Sequence, residues 1–297
     1  MKIIEPKVEL WLQEDAKAHV ARCARVCYGR ETGNDEATIR RLINDKHWSM
    51  FRHESVYAII PEKDVKYLWY DVTVNYMECP YIDWIRLENK YYIATNGNFL
   101  LDVEKKSPVL YKWLTQYRVD ALTFNNIHPL VSNLMRYTFK VTTQISTSRE
   151  LNRVSPNNIA ERSTRYVYED GTLCRPHWMT DEDYEVFKDE HSDDSFLPDN
   201  YLKDDKIAIR KYVWSCDRSF YDYKELVNLG VHRQDARGVL PLDTATECVY
   251  TYSYKEWCHI LDLRYYGTTG RPHENARIIA GMIRNELMDL GYEFREG

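Results

Sequence analysis

Residues 148–166 read SRELNRVSPNNIAERSTRY, a stretch that sets Arg149, Arg153, Arg162 and Arg165 among small, polar, turn-forming side chains. Arginine's planar fork matches phosphate and carboxylate oxygens two at a time. Two later segments carry the same signal, Arg233 with Arg237 and then Arg264. Three separated segments converging on one anion would suit a nucleotide phosphate. Each arginine also has a plainer reading as a surface ion pair, which contributes little to stability. Arg264 ends a predicted helix with Trp257, Ile260 and Leu261. Its plain alternative is a charge favourable to the helix carboxyl end.

Upstream of this stretch, apolar residues recur every three or four positions over Ala16 to Cys27 and Glu36 to Ile43, predicting two amphipathic helices. From Ser55 to Tyr92, β-branched and aromatic residues (Val56, Tyr57, Ile59, Ile60, Val72, Val74, Tyr76) among turn formers predict short strands. Asn96-Gly97-Asn98 marks a tight turn, and Val109 to Leu122 a helix. Downstream, Asp181 to Asp205 holds eleven acidic residues against Lys188 and Lys203 and reads as a solvated insertion. A long helix from Asp205 to Leu229, stopped by Gly230, belongs to a core or a subunit interface. Glu247 to Tyr252 is strand-like, and Ser253 to Glu256 has the spacing of a capping box that opens a helix reaching about Arg264. A last helix starts near Pro272 and turns Ile279, Met282, Ile283 and Leu287 inward before Gly291. The expectation is one α/β (α+β) domain over residues 1–297, without internal repeats or linkers.

Composition bounds the function classes. Hydrophobic residues make up 44% and charged residues 29% of the 297, as in folded globular proteins. No apolar run approaches the roughly 20 residues that cross a bilayer, and Met1 to Leu12 lacks a signal-peptide pattern, so no membrane role and a cytoplasmic location are expected. The seven cysteines are scattered without a C-x-x-C pair, which predicts free thiols and no metal site. The net charge of −6 concentrates in the acidic run, whose balance of −9 leaves about +3 elsewhere. That distribution fits a discrete anion pocket rather than a track for polymeric nucleic acid, and it disfavours an RNA-binding module. No G-x-G-x-x-G, Walker loop, H-E-x-x-H or G-x-S-x-G occurs.

The 148–166 stretch resembles the signature region of the flavin-dependent thymidylate synthases, whose pattern is R-H-R, seven residues, then S-x-R. Arg153 falls on the first arginine, Ser163, Arg165 and Tyr166 on the S-x-R-Y end, and Glu161 on a frequent family glutamate. Two positions depart: Val154 stands where the family has histidine and Ser155 where it has the second arginine. Residues 235–242, DARGVLPL, look like the family's A-R-x-x-L-P element, with Thr246, Ser253, His259 and Leu263-Arg264 following at family-like spacing. Residues 46–53, KHWSMFRH, are similar to its G-H-x-S-P-x-E-H element, with His53 on the final histidine and Arg52 in place of the glutamate. The matches cover most of the chain in order. Tyr57 to His128 and the acidic run match less well.

The resemblance implies a single catalytic domain with a mostly antiparallel sheet and helices around it. It also implies methylation of dUMP to dTMP with FAD, methylenetetrahydrofolate and NADPH. By the same carry-over, dUMP is held by Glu161, Ser163, Thr164 through its backbone, Arg165, Arg237 and Arg264, with Arg264 and Arg153 in catalytic roles. FAD contacts fall on His53, Ser55, Arg153, Ser253, His259 and His273. Ser253 keeps its capping-box alternative, and His259 and His273 keep theirs as helix-surface residues. A homotetramer with sites shared between chains is implied as well. The Val154 and Ser155 departures leave hydroxymethylation of dUMP open, as well as a nucleotide-binding homologue without catalysis.

Overall fold

The computed structural model describes residues 1–65, 76, 79–126, 128–153, 158–189 and 197–296. The expected strand residues Val72 and Val74 and the signature departures Val154 and Ser155 lie outside them.

Strand β7 (Arg136–Gln144) is buried at every position but Thr142, which makes it a central strand. It pairs antiparallel with β10 (Ala245–Ser253) along their full length, from Ala245 opposite Gln144 to Ser253 opposite Arg136. β2 (Lys7–Trp11) flanks β7 and β8 (Ile159–Glu161) flanks β10, giving the order β2-β7-β10-β8. The side-chain period of two separates the faces. Val249, with Ala160 and Trp11, meets Cys23 and Val26 of α1 (Ala16–Val26), and α2 (Asp35–Asn44) packs on α1 through Ile39 and Leu42. On the other face Phe139, Val141, Cys248 and Tyr250 meet Trp257, Ile260, Ile279 and Ile283 of the last two helices. Burying such large side chains is the dominant favourable term in folding.

A second antiparallel sheet has the order β4-β5-β3-β6, built from β3 (Ser55–Pro61), β4 (Ile82–Leu87), β5 (Lys90–Asn96) and β6 (Arg118–Val119). Glu88 and Asn89, both at positive φ, close the β4–β5 hairpin with the twist that a two-residue turn needs. Tyr57, Tyr92 and Ala94 join the main core. Ala58, Ile60 and Ile93 pack on α3 (Gly97–Lys106) and α4 (Pro108–Gln116). A parallel pair, β1 (Lys2–Ile4) with β9 (Thr172–Cys174), completes the strands among the described residues. The α+β expectation holds, with the antiparallel strands divided between two sheets.

Several local expectations change. Asn96-Gly97-Asn98 opens a helix, because Asn96 Oδ1 accepts from the Phe99 amide at 2.9 Å as an N-cap. Asparagine favours turns and caps for the same reason, a short side chain that bonds nearby backbone, so sequence did not separate them. The helix expected over Val109 to Leu122 ends at Gln116; β6 follows, and Asp120 caps the short α5 (Ala121–Asn125). After α6 (Ile145–Leu151), the acidic run is not simply solvated. α7 (Asp181–Phe187) opens with a Thr180–Asp183 capping box, and the buried Asp183 accepts from Lys206 at 2.7 Å and from the Tyr201 hydroxyl at 3.0 Å. Phe187, Leu197 and Tyr201 are buried against α8 (Ile207–Asn228). The apolar face of α8 (Ile209, Val213, Cys216, Phe220) therefore serves the core of its own chain. α9 (Arg233–Ala236), α10 (Tyr254–Arg264) and α11 (Glu274–Asp289) follow. α11 starts two residues past Pro272, with His273 as its N-cap. Among the described residues no helix is long and apolar enough to cross a membrane.

Candidate functional site

β8 delivers the signature stretch to the surface. Beyond it the Arg162 amide bonds Glu247 O at 2.8 Å and the Ser163 amide bonds Cys27 O at 3.1 Å, fixing the strand exit between β10 and the end of α1. Residues 163–167 then turn, with the Tyr166 and Val167 amides both on Ser163 O. Gly29 is needed opposite: it has φ +64°, and a Cβ there would lie 3.3 Å from Val167.

This turn meets the segment after α8. Arg237 Nη1 donates to Thr164 Oγ1 at 3.0 Å, and Arg233 Nη1 donates to Tyr166 O at 3.2 Å. Ser163 Oγ accepts from the Arg165 amide at 3.3 Å, which leaves its own O–H to donate. Ser163, Thr164, Arg165 and Arg237 thus come together within one chain. Arg165 and Arg237 are exposed and have no carboxylate partner among the described residues. Two guanidiniums without carboxylate partners, a hydroxyl and the Thr164 amide on and beside one turn can take a phosphate.

Glu161 stands at the base of the turn. Its carboxylate accepts from Ser148 Oγ at 2.8 Å, Asn152 Nδ2 at 3.2 Å and Thr246 Oγ1 at 3.4 Å, and Tyr250 OH fixes Asn152 in turn. Arg264 reaches the same helix α6: its Nε and Nη2 both donate to Glu150 O, at 3.1 and 2.8 Å. It therefore caps the carboxyl end of a neighbouring helix, a variant of its plainer reading. Arg153 is exposed at the end of the described part of the signature.

The cofactor candidates divide. His53 and Ser253 are fully buried and Ser55 nearly so. His53 Nδ1 bonds Thr251 Oγ1 at 2.8 Å, that hydroxyl bonds Thr138 Oγ1 at 2.7 Å, and Thr138 bonds His19 Nε2 at 3.0 Å. Burial, then the charges of His19 and Arg136, lower His53 to about 3. Burial, then Arg22, lowers His19 to about 4. Ser253 makes both bonds of the capping box with Glu256, at 2.7 and 3.2 Å. His259 is exposed on α10. His273 caps α11 and meets His177 edge to face at 5.2 Å.

Of these six residues, Ser55 lines a cavity of about 430 Å³ with Trp11, Tyr57, Tyr137 and Arg136. Gln13 clamps the Ser55 backbone on both sides, at 2.7 and 2.9 Å. The Arg136 guanidinium is buried, with Nη2 on Arg52 O and Thr251 O and with Nε unpartnered among the described residues. Sequence reading missed Arg136; its one signal was an arginine opening a strand that is apolar and hydroxyl-bearing apart from Lys140 and Gln144. Burial raises all seven thiols above their ordinary value, so none is poised as a nucleophile.

Residues 103–290 match the family model of the thymidylate synthase complementing protein. The chain belongs to that family. It is similar to the flavin-dependent thymidylate synthase of Pyrococcus furiosus, with 31% identity over 81 residues, 27% of this chain and 33% of that protein. Another of that name, from Kosmotoga olearia, is 29% identical over 128 residues, 43% of this chain and 53% of that protein. The chain thus spans between a third and about half of the length of these relatives. Among solved structures, the UMP/dUMP methylase PolB from Streptomyces cacaoi bound with 5-Br dUMP aligns over 98% of this chain and 93% of that one, at 18% identity and a TM-score of 0.46.

Proposed function

We propose that the chain transfers a one-carbon unit from methylenetetrahydrofolate to C5 of dUMP, with FAD as cofactor and NADPH as reductant. The observation that carries this reading is the Arg237–Thr164 contact, which joins the two motif segments around one exposed anion site. Ser163, the Thr164 backbone, Arg165 and Arg237 bind the phosphate, each charge-assisted bond contributing roughly 1.5–3 kcal/mol. Glu161, fixed by three donors, sets the floor of the site. Arg264 keeps Nε and Nη2 on Glu150 O and has Nη1 left to polarise the uracil.

The cavity beside Ser55 fits a flat ring system: its volume lies in the small-molecule range, its walls are mostly apolar, and Arg136 adds a cation to its lining. Ser55 and Arg136 would hold the flavin there, with His53 one layer behind. When bound, the isoalloxazine supplies the redox chemistry, and the protein supplies binding, orientation and electrostatics. The apolar wall of Trp11, Tyr57 and Tyr137 excludes water from that ring. A homotetramer is part of the proposal; α8 leaves Trp214 and Tyr221 on its exposed side for such contacts. Light scattering near four times 35.5 kDa is the expected result, and a monomer removes the assembly.

The absorbance spectrum of the purified protein, with and without dUMP, tests the central reading. A flavin band perturbed by dUMP is expected; no flavin binding and no nucleotide effect would leave the phosphate site without the enzyme. Val154 and Ser155, in place of the family's histidine and arginine, favour hydroxymethyl-dUMP as a second product reading, decided by mass spectrometry of the product.

A further inference from the structure

One segment grips the 163–167 turn on both sides of Arg165. Arg237 Nη1 bonds Thr164 Oγ1 at 3.0 Å, and Arg233 Nη1 bonds the Tyr166 carbonyl at 3.2 Å. The two arginines stand four residues apart, the spacing that puts side chains on one face of a helical turn. α9 is short, but its place is set by its neighbours. Ala236 is buried, the Asp235 and Ala236 amides both bond His232 O, and Leu240 just beyond packs on the core cluster of α8. The turn is therefore held from a segment that is itself anchored.

Arg233 is exposed and has no carboxylate partner among the described residues, so its bond to Tyr166 is not the by-product of an ion pair. Its guanidinium also lies over the Tyr168 ring at 5.5 Å, and Tyr168 leans on the fully buried Tyr223 of α8 with centroids 5.6 Å apart. Arginine can bond a carbonyl in its plane and stack a ring on its face at the same time, which fixes it between the turn and α8. Thr164 and Tyr166 are the chain neighbours of Arg165. Holding both fixes the backbone from which Arg165 projects, together with the Ser163 hydroxyl that accepts from the Arg165 amide. A turn free to move would have to be ordered by its ligand, and that ordering costs affinity.

We propose that Arg233 is a positioning residue of the anion site: it stays on Tyr166 and Tyr168, and with Arg237 it keeps Ser163, the Thr164 amide and Arg165 arranged for a phosphate group before one binds. The proposal rests on the reading of residues 163–165 as a nucleotide-phosphate site, and it adds a residue that reaches the nucleotide only through the turn.

Arg233→Ala in the full chain tests it, with a melting curve to confirm the fold. The readouts are dUMP affinity by calorimetry and amide hydrogen exchange, in the protein without ligand, of Tyr166 and Val167, whose amides bond Ser163 O. The variant should bind dUMP about tenfold more weakly and exchange these amides faster, with exchange in β7 and β10 unchanged. Weaker dUMP binding with unchanged exchange would mean that Arg233 acts on the phosphate through its charge, and overturns the positioning role. Faster exchange with unchanged dUMP affinity overturns it too, since binding would not need the turn to be held. The phosphate reading is judged on the wild type alone: a wild type that binds no dUMP removes that reading and the positioning role with it, whereas failure of the positioning role alone leaves the wild-type affinity in place.

Discussion

Arg237 and Thr164, 73 residues apart in the chain, meet through one 3.0 Å hydrogen bond from Nη1 to Oγ1. The bond fixes the Arg237 guanidinium on the turn that carries Arg165 before any ligand arrives. Both arginines are exposed to water. An anion that replaces that water gains from both charges without ordering either segment anew, which is how preorganisation raises affinity.

Arg165→Ala and Arg237→Ala should each weaken dUMP binding about ten- to a hundredfold with the fold intact, since one charge-assisted contact disappears. Calorimetry with dUMP measures this, and unchanged affinity in either variant removes that arginine from the site. Because Arg237 contacts Thr164, next to Arg165, within one chain, both arginines are assigned to one chain's site in place of a site completed by a partner subunit. Refolding the two variants together should therefore restore no activity; recovery would show that a partner subunit completes the site.

Ser253 separates a cofactor role from a structural one. Both capping-box bonds with Glu256 are made, so Ser253→Ala should lower stability by about 0.5–2 kcal/mol while leaving flavin affinity unchanged. Urea denaturation gives the first quantity and a flavin titration the second. A tenfold loss of flavin affinity without loss of stability would reverse the assignment.

How much was legible follows from how local each signal is. The helix opened by Ser253 and the strand before it were readable because capping spacing and apolar patterning act within a few residues. Ser163, Thr164, Arg165 and Arg237 were singled out as a group through motif resemblance, and in the fold Arg237 contacts Thr164. The division into two sheets was not, because it depends on pairings such as Ser55 with Asn96 that no local pattern announces. Asp183 read as one more solvated acid in a charged run, yet Thr180, Tyr201 and Lys206 bury it.

The buried His53–Thr251–Thr138–His19 chain predicts loss of stability in mild acid. An unfolded histidine takes its proton near pH 6.5, whereas the folded chain holds His19 neutral to about 4 and His53 to about 3. Stability present at neutral pH is therefore lost as pH falls below 6.5, by about 1.4 kcal/mol per pH unit for each histidine. His53→Asn keeps a polar atom near the Nδ1 position and should cut the slope between pH 6.5 and 4 by one proton. Urea unfolding at pH 5, 6 and 7 checks this, and an unaltered slope would falsify the assignment.

Glu169 predicts the opposite trend over a neighbouring range. Its carboxylate is buried behind the 163–168 turn, where Arg162 Nη2 donates to Oε2 at 3.1 Å. Burial raises its pKa to about 7 against the lowering effect of Arg162, so desolvation outweighs the ion pair. A carboxyl raised in the native state binds its proton more tightly there than in the unfolded chain. Its contribution is complete below about pH 4.5 and is lost as pH rises towards 7, amounting to roughly 3 kcal/mol. Glu169→Gln keeps an acceptor for Arg162 and cannot ionise, so the variant should gain stability relative to wild type between pH 5 and pH 8. It also leaves Arg162 with its charge unmatched, which sets a constant offset and not a slope. Urea midpoints at pH 5, 6, 7 and 8 separate the two contributions: a difference that grows with pH supports a raised Glu169, and a constant difference shows that the carboxylate stays ionised beside Arg162.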